Sequence, residues 1–95
     1  MYPRADWYQP VDTVILTFLS AHRFRIVVPP IVVSINCGIS STHSNRRLKI
    51  LEDAGLVEDA KPMGKDAYYR ITNFGERVAM GTVPSEELQE LDPSE

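Results

Sequence analysis

The sequence predicts a mainly helical α+β domain, and two features of the 95-residue chain indicate this class. Three segments that read as helices follow one another between residues 11 and 54, each bounded by a capping residue, a proline or a glycine. Two short segments rich in β-branched and aromatic residues come directly afterwards, separated by a turn. A chain of this length holds one domain with a core of modest size.

The first predicted helix covers residues 11–22, VDTVILTFLSAH. Ile15, Phe18 and Leu19 recur at the spacing that places them on one helix face. Asp12 stands near the beginning of the segment, where its carboxylate is suited to cap the helix. We therefore expect this helix to contribute an apolar face to the core.

The next two predicted helices are joined by a tight turn. The second helix, roughly residues 29–36, opens on two prolines, which are tolerated only in the first helical turn. Gly38 suits a left-handed turn, and Ser40 is a good N-cap for the third helix, residues 40–54. Gly55 ends that helix. Two helices joined by a short turn that contains glycine form a helix-turn-helix unit.

A β-hairpin is predicted after the third helix. LVEDA and AYYRIT predict two strands, and the turn between them, KPMGKD, carries two lysines. A further short β-branched run, RFRIVV, precedes the second helix. Thr72 caps a short last helix near residues 73–80, and Gly81 ends it. The sequence therefore predicts a winged helix-turn-helix: a three-helix core, a C-terminal β-hairpin wing and a short extra helix.

Three parts of the chain are expected: an N-terminal arm (residues 1–10), the winged helix-turn-helix domain (residues 11–81) and an acidic C-terminal tail (residues 82–95). The tail contains Leu88 and Leu91 among acidic residues, so it is either a short amphipathic helix or disordered. The arm has no clear period, and its aromatic residues cover either the core of the domain or a partner subunit. These aromatic residues are Tyr2, Trp7 and Tyr8.

The charge of the chain is unevenly distributed. The formal net charge is -3, but five of the thirteen acidic residues lie between residues 84 and 95, where there is no lysine or arginine. Residues 1–83 therefore carry a net charge of +2. Arginine outnumbers lysine seven to three, which suits two-pronged contacts with phosphates and guanine edges.

Several classes of protein are excluded by composition. No apolar stretch approaches the ~20 residues of a membrane-spanning helix, and no secretory leader is present, so we expect a cytoplasmic protein without a membrane partner. Cys37 is the only cysteine, which excludes a disulfide framework and a zinc site built from paired cysteines. His22 and His43 have no credible acid or nucleophile partner, and no phosphate-binding glycine loop or metal-ligand spacing is found. We therefore expect no enzyme activity, cofactor, metal or small-molecule ligand.

The third predicted helix has two faces. At a hundred degrees per residue, Ser44, Leu48 and Leu51 fall within about sixty degrees of each other and form the expected core stripe. The opposite side presents polar and basic groups, with His43 and Asn45 on its flanks. The residues of this opposite face are Thr42, Arg46, Lys49 and Asp53.

The segment PPIVVSINCGISSTHSNRRLKILEDAGLVE, followed by YYRITNFGERVA, resembles the winged helix-turn-helix regulators of archaea. The sequence is most similar to the small haloarchaeal regulators related to phage repressors, over roughly residues 11–81. This resemblance implies a transcription regulator that binds duplex DNA, commonly as a homodimer. It also implies a recognition helix at residues 40–54 and a wing at residues 57–71.

The expected base contacts lie in the first half of the third helix, because that part of a helix-turn-helix enters the major groove. Arg46 suits guanine O6 and N7, and Asn45 suits adenine N6 and N7. Thr42 offers a methyl group to thymine or a hydroxyl to a phosphate. His43 is equally well explained as a base contact and as a solvated surface residue.

The expected phosphate contacts come from the same helix and the wing. Ser40 and Ser41 suit a phosphate together with the backbone N–H groups of the first turn, although Ser40 is also explained by capping alone. Arg47 either bridges to the DNA backbone or lies over the edge of the core. Lys61 and Lys65 reach phosphates or the minor groove, or only keep the turn soluble. The complete expected set is Ser40, Ser41, Arg47, Lys49, Lys61 and Lys65.

Two functions remain open at this stage. The first is a sequence-specific DNA-binding regulator, a repressor that binds an inverted repeat as a homodimer. The second is a winged-helix adaptor that binds another protein and no specific DNA. A positive patch that joins the third helix to the wing favours DNA, whereas an exposed apolar face that includes Ile50 favours the adaptor.

Overall fold

A computed structural model describes residues 5–21, 25–61 and 67–92 of the chain. Three helices precede a two-stranded hairpin, and two shorter helices follow it, which confirms the predicted winged helix-turn-helix fold. The elements are α1 (Pro10–Ser20), α2 (Pro30–Cys37), α3 (Ser41–Asp53), β1 (Val57–Asp59), β2 (Tyr69–Ile71), α4 (Asn73–Ala79) and α5 (Ser85–Glu90). None of the helices in these described ranges is long and apolar enough to cross a membrane.

Helix α1 begins before the predicted position. Its N-cap is Gln9, and Asp12 is the third helical residue rather than the cap. The Asp12 carboxylate accepts the backbone N–H of Gln9 at 2.8 Å, so it satisfies a donor at the helix start from within the helix. The prediction of Asp12 as the N-cap was therefore wrong, and residue 22 lies outside the described residues.

The turn between α2 and α3 is held by Ser34, Gly38 and Ile39. Gly38 has φ +68°, the left-handed conformation that the sequence predicts there. The Ser34 hydroxyl donates to the Ile39 carbonyl at 2.6 Å, and the Ile39 N–H donates to the Ser34 carbonyl at 3.2 Å. These bonds satisfy backbone groups that the end of a helix leaves open, and they set the direction in which α3 starts.

The two wing strands are antiparallel, with Val57 opposite Ile71 and Asp59 opposite Tyr69. Val28 forms an isolated bridge to Tyr69, through N–H···O bonds of 3.0 and 2.8 Å. The predicted run RFRIVV is thus reduced to one bridge in its described part, because the chain enters Pro29 and Pro30 immediately afterwards and proline has no N–H for a ladder. Residues 22–24, and 62–66 at the wing tip, lie outside the described residues.

Helix α4 packs very closely on the end of the α3–β1 connection. A Cβ atom at Gly75 would lie 2.0 Å from the carbonyl oxygen of Leu56 and 2.8 Å from Ile71 Cγ1. Only glycine permits this approach. Thr72 caps the helix as predicted, because its hydroxyl accepts the Gly75 N–H at 2.9 Å.

The core receives side chains from every helix and from both ends of the described chain. Trp7 in the arm is 7% exposed, and Leu88 in α5 is fully buried. The Trp7 indole N–H donates to the Leu88 carbonyl at 2.8 Å. Trp7 therefore covers the core of its own domain, and the tail forms a short helix that buries Leu88. Other fully buried apolar residues are Ile15, Leu16, Leu19, Val33, Leu48, Leu51, Leu56, Val57, Ile71 and Val78.

Candidate nucleic-acid interface

The two faces of α3 are arranged as the sequence predicts. Ser44, Leu48 and Leu51 are each 0% exposed, which confirms the core stripe. The small Ser44 side chain lies against α2, and its hydroxyl donates to the Pro30 carbonyl at 3.1 Å. The side of the helix opposite this stripe faces outward. Its exposed residues between Ser41 and Asp53 are Ser41, Thr42, Asn45, Arg46, Lys49 and Asp53.

Arg46 is an exposed cation whose guanidinium has no ion pair or hydrogen bond with any residue in the described ranges. The first turn of α3 contains no acidic residue, so the positive end of the helix dipole is not offset by a carboxylate there. Lys49 lies one turn further on, 3.5 Å from Glu52, and is 69% exposed. An exposed pair of this kind is worth little, so both cations are available to a polyanion.

Ser40 and His43 are linked at the start of α3. The Ser40 hydroxyl accepts the His43 backbone N–H at 3.0 Å, which confirms Ser40 as the N-cap. The Ser40 hydroxyl can still donate its own proton to a phosphate. His43 is half-buried, whereas Asn45 is exposed.

Arg47 does not belong to this outward surface. Its side chain is 6% exposed, and its Nε and Nη2 donate to Asp12 Oδ1 and Oδ2 at 2.9 and 2.6 Å. Nη2 also donates to the carbonyl of Trp7 at 2.8 Å. The expectation that Arg47 contacts phosphate is corrected here, because its guanidinium is buried and already occupied.

A signal for this buried pair was present in the spacing. Arg47 stands three residues after Ser44 and four before Leu51, so it shares the period of the core stripe. Asp12 stands three and four residues before the buried Ile15 and Leu16. Two opposite charges that each occupy a core position of their helix predict a buried ion pair, which sequence reasoning missed.

The base of the wing is organised by Asp59. Its Oδ1 accepts the backbone N–H groups of Lys61 and Tyr68, both at 3.1 Å, and its Oδ2 accepts Lys61 Nζ at 2.7 Å. The hydrogen bond from the Lys61 ammonium, helped by the two backbone N–H groups, holds the pKa of Asp59 below its ordinary value. The same hydrogen bond raises the pKa of Lys61. Lys61 is 61% exposed but shares its charge with Asp59, and Lys65 lies outside the described residues.

An open groove of about 500 Å³ lies beside α3, and none of its lining residues is charged. It runs from the start of α2, past Asn45 of α3, to the beginning of β2. The Asn45 side chain of α3 therefore lines the groove together with residues at the start of α2 and residues that lead into β2. The lining residues are Pro29, Pro30, Ile31, Asn45, Ala67 and Tyr68.

Cys37 is the last residue of α2. Its thiol is half-buried and unpaired, and burial raises its pKa. A raised pKa lowers the thiolate fraction, and the thiolate is the reactive species. Within residues 5–21, 25–61 and 67–92, no group of three or more histidine, cysteine or acidic side chains is arranged to hold a metal ion.

A helix-turn-helix with an outward polar and basic second helix, followed directly by a β-hairpin, defines a winged helix-turn-helix domain of the DNA-binding type. The family of winged helix-turn-helix phage repressors matches residues 1–91, and the chain belongs to this family. It is 29% identical over 89 residues to the repressor protein of Halobacterium phage phiH, covering 94% of this chain and 98% of that protein. No solved structure matches the chain.

Membership in this family makes the protein a DNA-binding regulator of the repressor type, and it favours a non-enzymatic role. The matched residues include the arm and most of the acidic tail. Both segments also pack on the core, through Trp7 and Leu88.

Proposed function

We propose that the protein represses transcription by binding a specific duplex DNA sequence, with α3 in the major groove and the wing against the backbone or the minor groove. The observation that carries this proposal is the exposed guanidinium of Arg46 on the outward face of α3, which pairs with no residue in the part of the chain that the structure describes. The opposite face of the same helix is buried, so α3 has one orientation in which it can meet a partner. That orientation presents its polar and basic side chains.

Base recognition is assigned to three residues of α3. Arg46 would donate two hydrogen bonds to guanine O6 and N7, and Asn45 would pair with adenine N6 and N7. Thr42 would place its methyl group against thymine or its hydroxyl on a phosphate. All three side chains are exposed, and His43, which is half-buried, lies at the edge of this set.

Phosphate contacts would fix the register of the protein on DNA. Ser40 and Ser41 stand at the N-terminus of α3, where backbone N–H groups and the helix dipole favour an anion. Lys49 would add a contact one turn further along the helix. Lys61 and Lys65 would reach the DNA backbone or the minor groove from the wing. Arg47 is not included, because Asp12 and the Trp7 carbonyl occupy it.

A homodimer on an inverted repeat is the assembly we propose, because one module has a small footprint and two-fold dimers read palindromes. Trp7 and Leu88 are buried within the protomer, so the contact would use other side chains, such as Val14 on α1, which is 48% exposed. Light scattering of the free protein and of its DNA complex would measure the stoichiometry. A monomer in both states would contradict the dimer.

The protein-binding adaptor has less support. Its expected feature was an exposed apolar face containing Ile50, but Ile50 is partly buried against the core. The outward face of α3 is polar and basic rather than apolar.

The decisive experiment is selection of bound fragments from genomic DNA, beginning with the region upstream of the gene itself, followed by titration of the selected duplex. Arg46→Ala should weaken binding to that duplex by about 1–3 kcal/mol and relax the preference at one base pair. Arg77→Ala is the matched control, because it removes the same charge from α4 at an exposed position. The proposal fails if the wild type binds selected and scrambled duplexes equally.

A further inference from the structure

We propose that Arg47 and Asp12 form a positioning pair that sets the rotation of the recognition helix on the domain. Discrimination between DNA sequences then depends on two residues that touch no DNA. This inference rests on the proposed function, because it concerns how α3 is held while it reads bases.

The geometry of the pair fixes the relative orientation of the Arg47 and Asp12 side chains as well as the distance between them. Two donors of one planar guanidinium meet the two oxygens of one carboxylate, at 2.9 and 2.6 Å. Such a fork allows little rotation about the axis of the contact. A third bond, from Arg47 to the Trp7 carbonyl at 2.8 Å, lies on the same guanidinium. Asp12 is in turn held by the Gln9 N–H at 2.8 Å.

The pair is fully enclosed and fully satisfied. Arg47 is 5% exposed and Asp12 is 0% exposed. Among the described residues, no buried side-chain nitrogen or oxygen lacks a hydrogen-bond partner. A network in this condition has one low-energy arrangement, since any displacement leaves a buried charge without a partner.

Stability alone does not explain why a charged pair stands at these core positions. Desolvation of two charges offsets much of their attraction, and apolar side chains of similar volume often replace such pairs without loss of stability. The neighbouring core residues of α3, Leu48 and Leu51, are held by burial, which has no preferred direction. The two hydrogen bonds from the Arg47 guanidinium to the Asp12 carboxylate depend on direction, so they restrict the rotation of α3 in a way that apolar contacts do not.

The position of Arg47 in α3 links this restricted rotation to base recognition. It immediately precedes Leu48 and immediately follows Arg46, the proposed guanine contact, so fixing one arginine fixes the backbone of the other. Functional side chains must be held within about 0.5 Å and 10–20° of their productive geometry. A small rotation of α3 would therefore misalign Asn45 and Arg46 with the base edges, while phosphate contacts tolerate it better.

The hydrogen-bond network that holds α3 in place extends beyond α1. Trp7, whose carbonyl accepts from Arg47, also donates its indole N–H to the Leu88 carbonyl at 2.8 Å. The arm is thus clamped between the recognition helix and α5. Both ends of the described chain contribute to the placement of α3.

The test replaces the charged pair by apolar side chains in the double variant Asp12→Leu, Arg47→Met. Its melting temperature should fall only modestly, because the new apolar contacts offset the loss of the ion pair, while the Gln9 N–H and the Trp7 carbonyl lose their side-chain partners. The ratio of affinities for the selected and scrambled duplexes should fall ~10-fold or more, on the order of one lost base contact. The dependence of affinity on salt should not change, because no phosphate contact is removed.

Val78→Ala is the matched control, since it opens the core in α4 and leaves the α3 contacts with α1 in place. Below its melting temperature this variant should keep the wild-type ratio. If the apolar double variant also keeps the ratio, the pair is merely structural and the proposal is overturned. A smaller salt dependence in the double variant would overturn it too, because Arg47 would then contact phosphate.

Two further measurements keep the test decisive. If the double variant does not fold, the same ratio is measured on Arg47→Lys, which keeps the charge and loses the fork. An unchanged ratio in Arg47→Lys would overturn the proposal. Residual dipolar couplings of the free proteins report the orientation of α3 relative to α1. These couplings should change in the variants whether or not the wild type discriminates between DNA sequences. A wild type that does not discriminate would refute the proposed function alone, whereas unchanged couplings would refute the positioning role of the pair.

Discussion

The indole N–H of Trp7 donates to the carbonyl of Leu88 at 2.8 Å, and this bond joins the N-terminal arm to the last helix across 81 positions of sequence. Both residues are buried. The bond is therefore shielded from water. If the indole donor is removed, no water molecule replaces it as a hydrogen-bond donor to the Leu88 carbonyl.

Trp7→Phe removes this donor and retains an aromatic ring. We expect the free energy of unfolding to fall by about 1–3 kcal/mol, since a buried acceptor is left unsatisfied and some packing is lost. Urea denaturation followed by circular dichroism measures the change. Glu87→Gln, at an exposed position of the same last helix, is the control and should leave stability within about 0.5 kcal/mol of the wild type.

The hydrogen bonds of Asp59 should make the stability of the wing depend on pH. The pKa of Asp59 is lowered in the folded protein, chiefly by the hydrogen bond from Lys61. A lowered pKa means that its contribution to stability is fully present above the ordinary aspartate pKa and is lost as pH falls through the folded value. Amide exchange at Lys61 and Tyr68 should therefore accelerate, after correction for intrinsic rates, when the pH is taken below about 4.

Asp59→Asn provides the control for this titration. The amide side chain still accepts the backbone N–H groups but carries no titrating charge. Exchange at Lys61 should be faster than in the wild type near neutral pH, and its corrected rate should show no step on acidification. A wild-type Asp59 pKa at or above the ordinary aspartate value, measured by carbon NMR, would contradict the prediction.

Gly75→Ala tests the close contact of α4. The added methyl group would meet the Leu56 carbonyl oxygen at 2.0 Å, so backbone must move. We expect a loss of about 3 kcal/mol in unfolding free energy, at the upper end of the usual range for overpacking. At Gly38, by contrast, no atom lies within 4 Å of the added methyl, and only the φ of +68° opposes alanine.

Gly38→Ala should accordingly cost about 1–2 kcal/mol, the penalty for a left-handed residue. Thermal unfolding of both variants gives the comparison. Equal losses would show that the contact at Gly75 is relieved by a small shift of α4.

Ser40→Ala separates capping from DNA contact at the start of α3. Loss of the bond to the His43 N–H should lower stability by about 0.5–2 kcal/mol. Ser41→Ala, one residue later and also exposed, should leave stability nearly unchanged. If both hydroxyls contact phosphate, both variants should bind all duplexes more weakly, to a similar degree and without loss of sequence preference. Titrations of selected and scrambled duplexes measure this.

Local signals in the sequence were sufficient for most of the architecture. The period of Ser44, Leu48 and Leu51 gave the rotation of α3, and the capping preference of Ser40 and the left-handed preference of Gly38 gave its start. These features depend on residues within one or two turns of each other. For that reason they can be read without knowledge of the tertiary fold.

Features that depend on distant parts of the chain were not predictable in the same way. The core spacing of Asp12 and Arg47 indicates that each charge is buried, but nothing near Asp12 in sequence identifies Arg47, 35 residues later, as its partner. The placement of Trp7 depends on Leu88 in the same way. Local patterns carry residue type and period, but a partner for a buried charge is settled only when the helices pack.

Arg46 and Arg47 are adjacent in α3, but the Arg46 side chain is exposed and the Arg47 side chain is buried against Asp12. Exposed and buried positions are therefore interleaved along the helix. The side chains at Thr42, Asn45, Arg46 and Lys49 can therefore diverge during evolution without disturbing the scaffold beneath them. If α3 reads DNA as proposed, exchanges at those four positions would change the operator sequence that the protein binds. Grafting them from one repressor to another should transfer a binding preference, provided that the recipient retains the arginine and aspartate that lie underneath.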